Sequence, residues 1–299
     1  MTSYRSGFCA LVGRPNVGKS TLLNALVGQK LAIVSDKPQT TRNRILGVVH
    51  RPHGQIVLLD TPGWQRPRHR LGNLMLETTR RAARDVDVVL MVVEAQLPPG
   101  PGDRHIARAL KEGPDIPRIL VINKLDLITG DPEPRVRAYR KLGQFSSVIC
   151  VSALKGIGLE PLEKDLFQLF PPGPPYFPPD MSTDQPEQQL MAELIREQAL
   201  HLTREEIPHS VAVMIEEVSP RPQDRLYVRA VVLVERNSQK GIIIGRRGSM
   251  LKKIGQGARE SMEAILGSRI YLELFVKVVP DWRDRVGPLR DLGFGREGG

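Results

Sequence analysis

Gly7-Phe8-Cys9-Ala10-Leu11-Val12, Gly13-Arg14-Pro15-Asn16-Val17-Gly18-Lys19-Ser20 and Thr21-Leu22-Leu23-Asn24-Ala25-Leu26 follow one another without a break. The first run is apolar and of strand type. The last is a strong helix former with Leu22, Leu23 and Leu26 on one side. Between them stands G-x-x-x-x-G-K-S, a phosphate-binding loop in the strand–loop–helix setting that such a loop requires. Two glycines let consecutive backbone N–H groups turn inward toward a phosphate, and the helix that starts near Lys19 adds its positive dipole end. Nucleotide contacts are therefore expected from Gly13, Arg14, Pro15, Asn16, Val17, Gly18, Lys19, Ser20 and Thr21. Lys19 reaches the β- and γ-phosphates, and the Ser20 hydroxyl ligates Mg²⁺.

Working outward, strand-like runs alternate with helical ones. Ile45–His50 and Gln55–Leu59 flank a turn, and helices are predicted over Leu74–Arg84, Asp103–Lys111, Pro134–Leu142 and Leu159–Leu169. Buried strands are predicted at Val86–Val93, Arg118–Ile122 and Ser147–Val151. Near-continuous apolar strands alternating with helices predict an α/β domain with a mainly parallel sheet and helices on both faces. Pro171 to Pro179 holds six prolines in nine residues and reads as a stiff, extended linker. Past it the rhythm changes. An amphipathic helix over Gln185–Leu202 precedes two alternating strands, Val211–Val218 and Leu226–Glu235, joined by a turn over 219–224. A short helix at Lys240–Ile244, a long one over Ser249–Leu266 and a strand at Ile270–Val279 complete an α-β-β-α-α-β order. The predicted division is 1–170 for the α/β domain, 171–184 for the linker and 185–299 for an α+β domain with its tail.

At 299 residues and 40 % apolar content, the chain has room for two cores. Its longest apolar runs are too short to span a bilayer, and Met1–Ser6 lacks the apolar centre of a signal peptide. Cys9 and Cys150 sit in strand-like runs, with no disulfide or zinc spacing, and are expected to be buried thiols in a reducing cytoplasm. The net charge of +10 points to a polyanionic partner. It is unevenly spread: up to Asp180 there are 25 Lys and Arg against 16 Asp and Glu, and beyond it 18 against 17. Only a local cluster could mark the second half as a nucleic-acid binder.

Asp60-Thr61-Pro62-Gly63 ends a strand, at the edge where open α/β sheets bind ligands. Asp60 can hold Mg²⁺ through water, and the Gly63 N–H can sense the γ-phosphate. Asn123-Lys124-Leu125-Asp126 selects the base. The Asp126 carboxylate accepts from guanine N1–H and N2–H₂, a donor pair that adenine does not present. Asn123 can contact guanine and tie this loop to the phosphate loop, Lys124 can lie along the ring, and a backbone N–H at Ser152-Ala153 can meet guanine O6.

These residues resemble the translation-factor-like GTPases, whose five motifs stand here as Gly13–Ser20, Gln39–Asn43, Asp60–Gly63, Asn123–Asp126 and Val151–Ala153. The resemblance implies that Thr41, or its neighbour Thr40, ligates Mg²⁺ in the GTP form, so that Ser20, Thr41 and Asp60 form the metal set. Ras-like enzymes carry a water-orienting glutamine directly after Gly63; here that place holds Trp64, with Gln65 displaced by one residue. A slow intrinsic rate, on the order of 10⁻⁴ to 10⁻² s⁻¹, is expected. In relatives with asparagine in the slot of Asn16, that side chain helps hold a K⁺ between the β- and γ-phosphates, which implies K⁺ as a further cofactor. The alternative is that Asn16 serves as a turn former after Pro15. The expected catalytic set is Lys19, Thr41, Gly63 and Asn16.

Gly245-Arg246-Arg247-Gly248 lies between two helices. A Gly-x-x-Gly loop lets a nucleic-acid backbone approach closely, as in the clamp of KH domains, and the α-β-β-α-α-β order is that of the type II arrangement. From Arg236 to Arg259 there are seven cations and no acid. RNA contacts are expected from Lys240, Gly241, Ile244, Gly245, Arg246, Arg247, Gly248 and Lys252. The alternative is a solvated basic helix with a glycine cap. Together, the GTPase motifs, the Pro-rich link with Tyr176-Phe177-Pro178, the stretch Glu205–Ser210, the clamp Ser238–Gly245 and Val276–Arg283 resemble the Era GTPases, bacterial ribosome-assembly factors. That resemblance implies GTP, GDP and Mg²⁺ as ligands. It also implies binding to the 3′ end of 16S ribosomal RNA on the 30S subunit, a monomer in the cytoplasm, and a weak peripheral association with the inner membrane. A passive RNA chaperone with a structural nucleotide is the rival reading.

Overall fold

The computed structural model describes residues 3–64, 67, 69–223 and 225–294. They divide into two compact units. The first comprises Met1–Val34, Thr41–Arg66 and Met75–Asp184; the second comprises Ser35–Thr40, Pro67–Leu74 and Gln185–Gly299.

The first unit is built on a six-stranded sheet in the order β2-β3-β1-β4-β5-β6. The strands are β1 (Arg5–Val12), β2 (Ile45–Arg51), β3 (Gly54–Asp60), β4 (Val88–Glu94), β5 (Arg118–Asn123) and β6 (Ser147–Cys150). All neighbours are parallel except β2, which pairs antiparallel with β3 as the edge of a tight hairpin. The helices are α1 (Lys19–Val27), α2 (Arg70–Ala82, from Met75 on in this unit), α3 (Pro101–Lys111), α4 (Glu133–Arg140) and α5 (Leu159–Leu169). Leu11, Leu58 and Leu90 face Leu22, Leu23, Leu166 and Phe167 on one side of the sheet. Ala10, Met91, Val93 and Leu120 face Ile106, Leu110 and Tyr139 on the other. Burial on both faces is why these strands read as unbroken apolar runs. The register sets Leu11 beside Asp60 and Glu94 beside Asn123, so the segments that leave β1, β3, β4 and β5 emerge along one edge.

The Pro-rich 171–184 segment is extended, but it is strapped to the first unit rather than left as a free spacer. The fastener is Gln55, fully buried in β3. Its Oε1 accepts from the Tyr176 and Phe177 N–H groups at 2.7 and 3.0 Å, and its Nε2 donates to the Phe177 carbonyl at 2.8 Å. The Phe8 and Tyr176 rings pack 4.8 Å apart, the Val48 N–H donates to the Ser182 carbonyl, and the Thr183 hydroxyl donates to the Leu46 carbonyl. Gln55→Ala strands two backbone N–H groups and a carbonyl at once. It is expected to cost about 2–4 kcal/mol of stability and to open 171–184 to proteolysis, measured by denaturant unfolding and limited digestion.

The second unit carries a three-stranded sheet, β7 (Ala212–Arg221), β8 (Arg225–Val234) and β9 (Arg269–Val278), with β8 central, antiparallel to β7 and parallel to β9. Helices α6 (Glu187–Leu202), α7 (Ile207–Ser210), α8 (Asn237–Ile244), α9 (Ser249–Leu266) and α10 (Val286–Asp291) complete it. β7 runs on to Arg221 and takes in the first part of the expected 219–224 turn, of which Asp224 lies outside the described residues. Ile254, Ala258 and Met262, four residues apart along α9, are buried, as are Leu194 and Ile195 of α6, whereas Ile265 is exposed. Trp282, which opens the tail in the sequence, is fully buried, and its Nε1–H donates to the Ser210 carbonyl at 2.8 Å. Its neighbour Arg283 grips Glu235 with two nitrogens at 2.9 and 2.5 Å.

Of the two thiols, Cys9 is buried and its pKa is pushed up by that burial, but Cys150 is only half-buried, a correction to the expectation. β6 is an edge strand, so one flank of Cys150 lacks a covering strand. Among the described residues, no helix is long and apolar enough to cross a membrane.

Candidate functional site

The first unit gathers its polar residues where its strands end. The loop from Gly13 to Gly18 leaves β1 and feeds α1. Two of its glycines are required by geometry. A Cβ on Gly13 would lie 2.4 Å from the Val92 carbonyl oxygen. Gly18 has φ +94°, and a Cβ there would lie 2.3 Å from Asn123 Nδ2. Asn16 also takes a left-handed φ of 65°, a conformation that asparagine tolerates better than most residues.

Lys19 is buried, and its ammonium donates to the Gly13 and Arg14 carbonyls at 3.4 and 3.2 Å. Burial pulls its pKa down, and the Asp60 charge works against that shift. Asp60 is the mirror case: burial raises its pKa, while Lys19 and the hydroxyls of Ser20 and Thr41 lower it. A buried charge of each sign, each strained by desolvation, describes a site prepared for a charged ligand.

Ser20, Thr41 and Asp60 come together. Ser20 Oγ donates to Asp60 Oδ2 at 2.6 Å and lies 2.8 Å from Thr41 Oγ1, while Thr41 Oγ1 lies 3.3 Å from Asp60 Oδ2. The Thr40 hydroxyl instead donates to the Lys37 carbonyl at 2.6 Å. Asp60 Oδ1 is buried and has no hydrogen-bond partner among the described residues. An orphaned carboxylate oxygen beside two hydroxyls is an all-oxygen donor set, which fits Mg²⁺. Among the described residues there is no group of three His, Cys, Asp or Glu that could hold a metal. A cation here needs oxygens from water and from phosphate to complete its shell.

Thr61 is buried and its hydroxyl donates to the Leu11 carbonyl at 2.8 Å; Pro62 is buried as well and accepts from Thr79 at 3.0 Å. Gly63 packs on Pro15, and the Trp64 N–H donates to the Gly13 carbonyl at 3.0 Å, which ties this segment to the phosphate loop. The Trp64 ring is buried, 6.4 Å from His105. Gln65 lies outside the described residues.

Asn123 is the tie between the two loops. Its Nδ2 donates to the Val17 carbonyl at 2.9 Å, and its Oδ1 accepts from the Ala153 N–H at 3.0 Å. The Ser152 N–H is given to the Ile157 carbonyl. Both backbone donors expected for guanine O6 are thus engaged within the protein, so O6 would have to share the Ala153 N–H with Asn123. The physical reason is that a buried N–H takes a partner whether or not ligand is bound. Asp126 is exposed and accepts from the Ser152 hydroxyl, leaving its second oxygen for a base.

Two residues outside the sequence reading hold the rim. Glu94, at the end of β4, takes Arg14 on Oε1 at 3.3 Å and Lys124 on Oε2 at 3.0 Å. Asp103, fully buried, takes Arg14 Nε at 2.8 Å. The visible signal for Glu94 was an acid ending an otherwise apolar strand.

In the second unit, α8 ends at Gly245 (φ 70°), Arg247 sits at φ 50° and Gly248 at φ 77°, where α9 starts. Arg246, Arg247 and Lys252 are exposed; Lys240 and Ile244 are half-buried. Cβ atoms on Gly241 and Gly248 would meet no protein atom within 4 Å, so packing inside the protein does not demand glycine's smallness at either place. Beside the loop lies a groove of about 470 Å³ lined by Gly248, Leu251, Lys252, Arg259, Tyr271 and Leu274, among others. Leu251, half-buried on α9, lines this groove. Tyr271, exposed on β9, is an addition of the structure. An apolar floor, exposed cations and glycines at the lip suit a single strand of nucleic acid.

A family model described as "50S ribosome-binding GTPase" matches residues 8–124, and one described as "KH domain" matches residues 206–283. The protein called GTPase Era from Heliobacterium modesticaldum is 50 % identical over 295 residues, covering 98 % of each chain. That of Carboxydothermus hydrogenoformans is 52 % identical over 294 residues, again covering 98 % of each chain. A crystal structure of Era in complex with MgGDPNP and nucleotides 1506–1542 of 16S ribosomal RNA is 43 % identical. It covers 97 % of this chain and 99 % of its own, with a TM-score of 0.93.

Proposed function

The chain belongs to the Era family of GTPases, and from that premise we propose that it is a GTP-driven switch that clamps the 3′ end of 16S ribosomal RNA during 30S assembly in the cytoplasm. One observation carries the reading: a single chain holds both a strand-end cluster of Lys19, Ser20, Thr41, Asp60 and Asp126 and a Gly-Arg-Arg-Gly loop beside a groove with Lys252 and Arg259 in its lining.

The geometry supports these roles. Lys19 is withdrawn onto two loop carbonyls and is positioned to exchange them for β- and γ-phosphate oxygens. Ser20, Thr41 and Asp60 would hold Mg²⁺, which when bound neutralises charge on the phosphates. Gly63 offers its N–H to the γ-phosphate. Trp64 cannot orient water, so these groups act without the usual glutamine. Asn16 lies in the loop where a K⁺ would add positive charge between the β- and γ-phosphates. Asp126 reads the base, and Lys124 lies where its stem can cover the ring. In the second unit the backbone around Gly245 and Gly248 takes phosphates while Arg246, Arg247, Lys240 and Lys252 supply charge. Nucleotide state and RNA affinity are coupled, and coupling of affinities is reciprocal.

Single-turnover hydrolysis with and without an oligonucleotide of the 16S 3′ end tests this. We expect the RNA to stimulate hydrolysis about tenfold or more, a lowering of the barrier by about 1.4 kcal/mol, and K⁺ buffer to be faster than Na⁺ buffer. An RNA-independent rate would leave a passive RNA binder. Equal rates in K⁺ and Na⁺ would remove the cation role of Asn16 and leave it a turn former.

A further inference from the structure

Glu94 stands where the base loop and the phosphate loop meet. It is the last residue of β4, and the register pairs it with Asn123, the last residue of β5, so Lys124 is the next residue along the neighbouring strand. Glu94 Oε2 accepts from the Lys124 ammonium at 3.0 Å, and Oε1 accepts from Arg14 Nη2 at 3.3 Å. One carboxylate thus holds a side chain from each loop. It is 15 % exposed, so water and salt screen it less than a surface acid. Arg14 has a second and closer partner, Asp103, at 2.8 Å. Among the described residues, Glu94 is the one ion-pair partner of Lys124. Lys124 itself takes a left-handed φ of 64°, which a long side chain rarely adopts and which persists only where the surroundings fix it.

We propose that Glu94 is a positioning residue for the guanine base, acting through Lys124. This role rests on the nucleotide reading proposed above, in which the Lys124 stem covers the ring. A lysine side chain without a partner samples many rotamers, and a ligand that packs on its stem must arrest them. Glu94 arrests them before the base arrives. The stem is left between two fixed ends, its own backbone and the carboxylate, and the ordering cost is met on folding instead of on binding. Glu94 touches neither the reacting phosphates nor the metal set of Ser20, Thr41 and Asp60. Its loss should therefore weaken the hold on the base and spare the chemical step. Arg14 should keep its place without Glu94, because Asp103 still takes its Nε.

Binding and release of fluorescent GDP by the full chain with Mg²⁺, followed by stopped flow, tests this in a double-mutant cycle. Glu94→Ala should raise the Kd for GDP about fivefold to tenfold, the cost of arresting one lysine side chain, through faster release. The single-turnover rate at saturating GTP should stay within about twofold, a split between affinity and chemistry that also certifies the fold. Lys124→Met keeps an apolar stem and removes the ammonium. In that background Glu94→Ala should change the Kd by less than about twofold, since the pair it breaks is already gone. Glu94→Asp, a milder variant that keeps the charge on a shorter stem, should lose part of the affinity beside Lys124 and none beside Met. The role is overturned by an equal loss from Glu94→Ala in both backgrounds, by an unchanged Kd in Glu94→Ala, or by a saturated rate that falls as far as the affinity. Failure of the nucleotide reading itself looks different: the unaltered chain would bind GDP no better than ADP.

Discussion

Asp126→Asn should lower GTP affinity about 1,000-fold, or about 4 kcal/mol, and let xanthosine triphosphate bind in its place. The carboxylate accepts from guanine N1–H and N2–H₂ together. An amide turns one acceptor into a donor, which then faces the 2-amino group donor to donor, with neither satisfied. Xanthine carries a carbonyl at that carbon and restores the match. The loop itself should survive, because the amide keeps an oxygen for the Ser152 hydroxyl that now donates to Asp126 Oδ1. Lys19, Ser20 and Asp60 are untouched, so xanthosine triphosphate should be hydrolysed near the ordinary rate. Competition between fluorescent guanine and xanthine diphosphates measures the exchange. Unchanged GTP affinity in the variant would show that Asp126 does not read the base.

Arg246→Asp combined with Arg247→Asp should weaken binding of the 16S 3′-end oligonucleotide by about 100-fold or more, since two attractive phosphate contacts become repulsive. Both side chains are exposed, so little packing is lost. Arg247 holds φ 50°, and aspartate accepts that conformation at least as well as arginine does. The melting curve should therefore stay in place while RNA binding falls. The neutral pair Arg246→Gln and Arg247→Gln gives the quantitative check: for single-stranded RNA, the slope of log affinity against log salt should drop by about 1.4, or 0.7 for each lost phosphate contact. An unchanged slope would mean that the RNA lies elsewhere than on this loop.

Much of the molecule was legible in the chain. The strands of the first unit are apolar throughout because both their faces are covered, and that pattern needs no tertiary information to read. The Gly-x-x-x-x-Gly-Lys-Ser loop and the Asn-Lys-Leu-Asp run carry their chemistry in residue type and spacing alone. Other features were not legible, for a shared reason. The bond from Gln55 to Phe177 spans 122 positions, and the tie from Asn123 to Val17 spans 106. A polar side chain's partner at such separation depends on register and on crossover, neither of which shows locally. Trp282 looked like the start of a tail because nothing nearby in sequence covers it; Ser210, 72 positions away, supplies its acceptor. The Ala153 N–H looked open to a base for the same reason, until Asn123 was seen to take it.

Residue identity and local spacing were sufficient for the kind of chemistry: phosphate at Gly13 to Ser20, guanine at Asp126, a nucleic-acid backbone at Gly245 to Gly248. These rest on short-range facts, such as glycine's conformational freedom and a carboxylate's acceptor pair. Tertiary structure alone decided which of those groups are already engaged and which still lack a partner. The parallel register of β1 with β3 sets Leu11 beside Asp60, and the loops that follow bring Ser20 and Thr41 onto one carboxylate oxygen while the other has no hydrogen-bond partner among the described residues. Folding satisfies buried polar groups wherever the backbone allows. Orphans that survive it among the described residues, those at Asp60 and at Trp64 included, are visible only once the other partners have been placed.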